Sequence, residues 1–354
     1  MERMKLYEKL VNLNGISGYE SSVRKFVREE LEKVSDEIVQ DKLGSVFGIS
    51  HGNGPKIMIA GHMDEVGAMV VKITDKGFIK MIPIGGIDPK VLLSQNVNIV
   101  VSEDKLIRGV IGAVPPHISR GLDERKDITF DDLLLDIGAE SKEHAMEMGV
   151  RIGQQVVPVN NYYVMEDGNK IVSKAWDNRF GVGMAIEIMR EIHGTNHPNT
   201  VIAGATVQEE VGLRGAITAT NLIKPDLFIA IDVSPVGDFL DSNHPRAFGK
   251  LGEGFLVRFY DPRCIMHQGI KKFIENLAQE KNIKYQQFLS MGGTDAAAAQ
   301  YSGAVVATIG LPGRYIHTTA AIIDVRDVEE VKKMVLAIIE NFDQKALDEV
   351  NANV

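Results

Sequence analysis

Four apolar stretches of the chain each run into residues that could bind a metal. Ile57–Ala60 leads to His62 and Asp64, and Ile171-Val172 leads to Asp177. Val201–Val207 leads to Glu209 and Glu210, and Leu227–Ile231 leads to Asp232. His317 follows a fifth apolar run, Val305–Leu311. Ligands of α/β proteins gather where strands end. Any one of these residues alone reads as a turn, a helix cap or a solvated loop edge. Several such sites converging on one ligand chemistry make a stronger signal. Histidine with carboxylates suits divalent zinc, cobalt or manganese. Five ligands exceed one tetrahedral zinc but suffice for two ions that share a bridging carboxylate. Such a pair binds a water, lowers its pKa and polarises a carbonyl.

The adjacent glutamates carry more detail. Neighbouring side chains of a strand point to opposite faces, so Glu209 and Glu210 can serve one site only where a strand ends. Gly212 marks such an end. One glutamate could ligate while the other handles a proton as general base. In His62-x-Asp64 the carboxylate is close enough to orient the imidazole.

The elements that must position these residues follow from periodicity. Residues 3–13 and 20–31 read as helices, broken at Asn14-Gly15 and Ser17-Gly18. Glu37–Ile49 and Lys56–Ala60 read as strands, and the wholly apolar Ile57–Ala60 as a central one. Between about 68 and 164 only short strand-like runs occur, namely 68–73, 78–84, 97–101, 107–111 and 154–159. That texture predicts a small β-barrel or sandwich. Helices at 180–193, 212–223 and 267–280 then alternate with strands at 199–207, 227–233 and 304–309. A last helix is expected over 327–349. The expected fold is an α/β domain, residues 1–66 and 165–354, with a helix-covered mixed sheet. A small β-barrel-like domain, residues 67–164, interrupts it.

Composition excludes other classes. The 354 residues are 44% hydrophobic and 25% charged, ordinary for a soluble globular chain. A net charge of −9 leaves no electrostatic footprint for nucleic acid or anionic lipid. Cys264 is the single cysteine, so no intrachain disulfide forms. The N-terminus lacks a signal-peptide pattern, and no apolar run is long enough for a membrane helix. A cytoplasmic location is the expectation.

The motifs together resemble the dinuclear metallo-aminopeptidases, the family of glutamyl aminopeptidases and tetrahedral, twelve-subunit aminopeptidases, some of whose members are labelled endoglucanases. The likeness spans Ser17-Gly18-Tyr19-Glu20, Gly61–Gly67, Pro115-Pro116-His117 and Ser173–Arg179. It continues through Val207–Gly215, Gly292–Ala296 and Arg314–His317. The resemblance implies that His62 and Asp232 bind one divalent metal, Glu210 and His317 a second, and that Asp177 bridges them. Two ions per subunit, zinc, cobalt or manganese, are thereby implied. Glu209 would be the general base that activates the bridging water, and Asp64 would orient His62. A cis peptide at Asp177-Asn178 is implied, as are a dimerisation role for the inserted β-domain and homo-oligomers of dimers, up to a dodecamer. Thr318 stands where many members have serine.

The implied activity is removal of N-terminal residues from short peptides with a free N-terminus. The segments Leu251–Gly254 and Val257–Pro262 look closer to the glutamyl-specific members. Arg258 is therefore the candidate that binds an acidic first side chain (Glu or Asp); its other reading is a structural ion pair with Asp261. The alternatives are an N-acyl amino acid deacylase or carboxypeptidase on the same scaffold and an endoglucanase. Glycosidases use two carboxylates flanking a sugar rather than a histidine-containing cluster.

Overall fold

The computed structural model describes residues 4–114, 116–119, 127–241, 243–245 and 248–352. Pro115 of the Pro-Pro-His motif lies outside them. Four parallel strands form the centre of a mixed sheet: Thr200–Thr206, Lys56–His62, Leu227–Pro235 and Val305–Arg314. Glu37–Gln40 and Val46–Ser50 extend it antiparallel on one side. Ala321–Asp324, Lys170–Ser173 and Tyr163–Val164 extend it antiparallel on the other. Phe255–Asp261 also pairs with Val305–Arg314, and carries Tyr285–Leu289 and Cys264–Ile265.

The continuous apolar character of the central strands has a direct cause, because both faces are covered. Ile57, Ile59, Ile229 and Ile231 face one core, built with helices Met4–Asn12, Ser21–Leu31, Trp176–Ile192 and Val325–Asn341. Met58, Ala60, Phe228 and Ala230 face the other, under helices Arg214–Ile223 and Ala296–Tyr301. Helix Trp176–Ile192 lies very close to the sheet. A Cβ on Gly61 would come 2.3 Å from the Gly181 carbonyl carbon, and one on Gly181 would come 2.3 Å from the Ile231 oxygen. Glycine at both positions lets the helix start beside the strand ends, where Asp177 is needed.

Gly67–Ile73, Ile79–Ile84, Leu135–Asp136, Lys105–Ile111, Asn96–Ser102 and Gln155–Pro158 close into a barrel with its own core, including Val70, Ile79, Ile99 and Leu135. The helix-covered mixed sheet and the interrupting barrel are thus as expected.

Some elements differ from expectation. Glu37–Ile49 is a hairpin rather than one strand, because Asp41 accepts the backbone N–H groups of Leu43, Gly44 and Ser45 and folds the chain back. The last helix is two, Val325–Asn341 and Gln344–Asn351, since Asp343 caps the second by accepting from the Ala346 N–H. The barrel segment contains a short helix, Lys142–Met148, capped by Ser141. The periodicity missed strand Phe255–Asp261, whose inner face is apolar but which carries Arg258 and Asp261.

Candidate metal centre

The ends of neighbouring strands bring the ligand candidates together. His62 closes Lys56–His62 and sits in register with Thr206, three and four residues before Glu209 and Glu210. Asp232 lies on Leu227–Pro235, paired with Gly310 of the strand that leads to His317. Asp177 stands at the start of its helix, out of helical conformation, and its bond to Asn178 is cis. Four residues flanking the site, Ala175, Gln208, Tyr315 and His317, hold φ between 52° and 58°. Left-handed backbone at residues other than glycine persists where the surroundings over-determine it.

Asp177 occupies the middle of the cluster. Its Oδ1 lies 3.0 Å from His62 Nε2 and its Oδ2 3.2 Å from His317 Nε2. His62 Nε2 is also 3.9 Å from Asp232 and from Glu209, and His317 Nε2 is 3.3 Å from Glu210. Two triads capable of holding an ion result: His62, Asp177 and Asp232, and Asp177, Glu210 and His317. They share only Asp177, one oxygen toward each. A further grouping of His62, Glu209 and Glu210 overlaps them. The outer ring nitrogens are engaged, His62 Nδ1 with the Asp64 carbonyl oxygen at 3.1 Å and His317 Nδ1 with that of Gly86 at 2.9 Å. Each imidazole thereby donates outward and turns its Nε2 inward, the nitrogen that would ligate a metal once it has lost its proton.

The electrostatics call for added positive charge. Burial pushes Glu209 and Asp232 well above the usual carboxylate range, with neighbouring carboxylates adding to the effect. Burial, reinforced by Asp177, raises Glu210 to about 7. Asp177 stays below the usual range although burial opposes it, because both histidines face it. Burial also opposes the charged forms of the histidines, yet the surrounding carboxylates outweigh it. His62 is raised well above its ordinary value and His317 to about 10. Glu210 Oε1 is buried and accepts no hydrogen bond. Crowded carboxylates, inward imidazoles and an orphaned oxygen fit divalent cations.

A second layer fixes these groups. Asp64 is fully buried; its Oδ1 accepts the Glu209 N–H at 3.0 Å, and its Oδ2 accepts the Glu210 N–H at 3.1 Å and the Ser17 hydroxyl at 2.6 Å. Its Oδ1 is 3.4 Å from His62 Nδ1, so orienting the imidazole is one part of a larger task. Glu20 accepts the N–H groups of Gly18 and Gln208. Lys174 and Arg179 both reach buried Glu65, at 2.6 and 3.4 Å. Arg179 also donates to the carbonyls of Met63, Leu10, Leu13 and Gly15. Sequence reasoning assigned no roles to Ser17, Glu20, Glu65, Lys174 or Arg179. Two of them lie in the quoted Ser-Gly-Tyr-Glu motif, but their partners are distant in sequence. Gly86, beside the barrel, likewise carried no signal.

The cluster opens into a cavity of about 600 Å³, bordered by Glu209, Arg258, Arg263 and Gly292. Arg258 is buried; it donates to the Gly292 carbonyl and lies 3.4 Å from Asp261. Its Nε is buried without a partner. Arg258 therefore borders the cavity and pairs with Asp261 at the same time.

Known proteins place this architecture. Residues 44–334 match the family model described as M42 glutamyl aminopeptidase. The glutamyl aminopeptidase of Lactococcus lactis is 36% identical over 98% of this chain and 99% of its own length. The lysyl aminopeptidase of Pyrococcus furiosus is 33% identical over 95% of this chain and 96% of its own. Among solved structures, the TET aminopeptidase of a marine sediment thaumarchaeon superposes with a TM-score of 0.94 at 35% identity, covering 99% of this chain and 100% of that one. The Pyrococcus horikoshii TET1 peptidase, which can assemble into a tetrahedron or a large octahedral shell, reaches 0.87 at 31% identity, covering 96% of this chain and 99% of that one. The chain belongs to the M42 glutamyl aminopeptidase family and is an aminopeptidase.

Proposed function

We propose that this aminopeptidase removes an acidic first residue, Glu or Asp, from short peptides with a free N-terminus. His62, Asp177 and Asp232 would hold one divalent ion, and Asp177, Glu210 and His317 a second. When bound, such a pair acidifies water and polarises the scissile carbonyl. Glu209 borders the same cavity and accepts the proton of the attacking water, then returns it to the leaving amine. Its burial keeps its proton affinity high, which suits a group that must hold the proton between the two steps. Asp64 and Ser17 hold the Glu209-Glu210 turn in place. Arg258 supplies the donor for the acidic side chain. The observation that carries the reading is Asp177, with one oxygen toward each triad.

Residues 67–164 are taken as the inserted dimerisation unit of a homo-oligomer. Support comes from the barrel's separate core and from TET1, a relative that assembles.

The test is hydrolysis of aminoacyl-p-nitroanilides of Glu, Asp, Leu, Lys and N-acetyl-Glu. It is run after chelation and again with zinc, cobalt or manganese. Metal-dependent cleavage of the Glu and Asp compounds, but not the acetylated one, is expected. Preference for Lys, as in the name of the Pyrococcus furiosus relative, or for Leu would overturn the acidic assignment. Cleavage of only the acetylated compound would favour a deacylase.

A further inference from the structure

The cavity wall holds two arginines, and their charges are not equally available. Arg258, Asp261 and Arg263 come from one short hairpin, Phe255–Asp261 and Cys264–Ile265 with its turn. Asp261 serves both sides of it. Its Oδ1 accepts the backbone N–H groups of Arg263 and Cys264 at 2.8 and 2.9 Å, and its Oδ2 faces Arg258. Arg258 and Asp261 are both buried, so their charges cancel where they meet. Arg258 also spends part of its field on Asp232. The Arg263 guanidinium pairs with no acceptor among the described residues; it is exposed and borders the cavity.

Both arginines meet one of two successive glycines, Gly292 and Gly293, on the cavity wall. Arg258 donates to the Gly292 carbonyl. The Arg263 stem lies across Gly293, where an added Cβ would come 2.9 Å from Arg263 Cδ. Nothing lies within 4 Å of the Cβ position of Gly292, so the cavity is open at that wall. A carboxylate entering it would meet one buried donor already in place and one uncompensated positive charge.

We propose that Arg263 is a second specificity residue, which together with Arg258 binds the carboxylate of an acidic first side chain. This rests on the acidic-substrate reading above. In the pair, Arg258 is the fixed donor at the base and Arg263 supplies the net charge at the mouth. That division has a kinetic signature. A surface-facing charge is screened by salt, whereas a buried one is much less so. Charge-assisted pairs to carboxylate favour the ionised ligand over its neutral isostere.

The experiment compares kcat/KM for the p-nitroanilides of Glu, Gln and Leu in the wild type, Arg263→Gln, Arg263→Lys and Arg258→Gln, at low and high salt. Wild type is expected to prefer Glu over Gln. Arg263→Gln should lower that ratio about tenfold, chiefly through KM, leave Gln and Leu within twofold, and flatten the salt dependence of the Glu reaction. Arg263→Lys should restore part of the ratio. An unchanged Glu-to-Gln ratio in Arg263→Gln, with the ratio reduced in Arg258→Gln, overturns the Arg263 assignment and leaves the acidic reading standing. Equal loss on all three substrates also overturns it, since a specificity residue acts selectively. A wild type indifferent to Glu and Gln overturns both readings together.

Discussion

Asp64 Oδ1 accepts the backbone N–H of Glu209 at 3.0 Å, across 145 residues of sequence. The other oxygen takes the Glu210 N–H and the Ser17 hydroxyl. One buried carboxylate thus sets the positions of both the proposed base and a proposed ligand. An amide could not replace it, because all the donors need acceptors and one amide position is itself a donor. Asp64→Asn and Asp64→Ala should each lower activity by about 10- to 100-fold, with a retained far-UV circular dichroism spectrum, the usual cost of losing a group that orients ligating residues. Near-normal kcat in Asp64→Asn would refute the positioning role.

Glu209→Gln keeps size and removes the proton acceptor. General acid–base groups contribute about 10²–10⁴-fold. A fall of that order in kcat is expected, with divalent metal content by elemental analysis unchanged. Loss of metal in parallel would make Glu209 a ligand instead.

Cations should stabilise the protein, because several carboxylates in the cluster lack compensating charge. Chelation should lower the thermal midpoint, and zinc, cobalt or manganese should restore it in a concentration-dependent way. Asp177→Asn should abolish most of the restoration, since both triads lose their shared member. Equal midpoints with and without chelator would contradict a cation site here.

Glu65 is buried between Lys174 and Arg179. Glu65→Gln removes the carboxylate that both buried cations share and leaves Lys174 and Arg179 without it. Breaking one partner of a buried pair costs about 3–5 kcal/mol. The denaturant midpoint should fall accordingly, with the m-value unchanged. Partial restoration by Lys174→Met in the Glu65→Gln background would show that the stranded positive charge is the cause.

Asp327 supplies a pH dependence away from the cluster. It is fully buried and accepts the N–H groups of Gly252 and Gly254, and burial raises it to about 7. Between the unfolded value near 3.8 and about 7 the folded state holds a proton that the unfolded state has released. Stability contributed by this group is therefore lost as pH rises through that window and is fully lost above it. Denaturant midpoints at pH 5.5 and 8 should differ less in Asp327→Asn than in the wild type. An identical pH difference in both proteins would exclude Asp327 as the source.

The ligand candidates were legible because each follows a strand that is apolar on both faces, and the sheet brings those strand ends together. His62, Asp177, Glu209, Glu210, Asp232 and His317 come together in one cluster. The supporting residues were not legible, for a reason of distance. Ser17, Glu20 and Arg179 act on partners up to 188 residues away, and no local pattern encodes such a pairing. The two-helix C-terminus escaped notice because its apolar stripe continues through the break, leaving only the Asp343 cap as a sign. Arg263 escaped because its significance lies in what Asp261 does to Arg258, which is a matter of charge compensation rather than residue type.

The two triads draw on residues from His62 to His317, most of the length of the chain, and no two neighbours in sequence complete either one. Loop closure over such spans costs entropy that no single contact returns. Ion capture therefore cannot template an early local turn, as it does in small metal-dependent modules. It would come after the sheet has assembled, which would make cation occupancy a reporter of completed folding. A chain still being synthesised, or cut anywhere before His317, lacks the second triad. The proposed hydrolytic chemistry would thus be withheld until His317 has been made and folded.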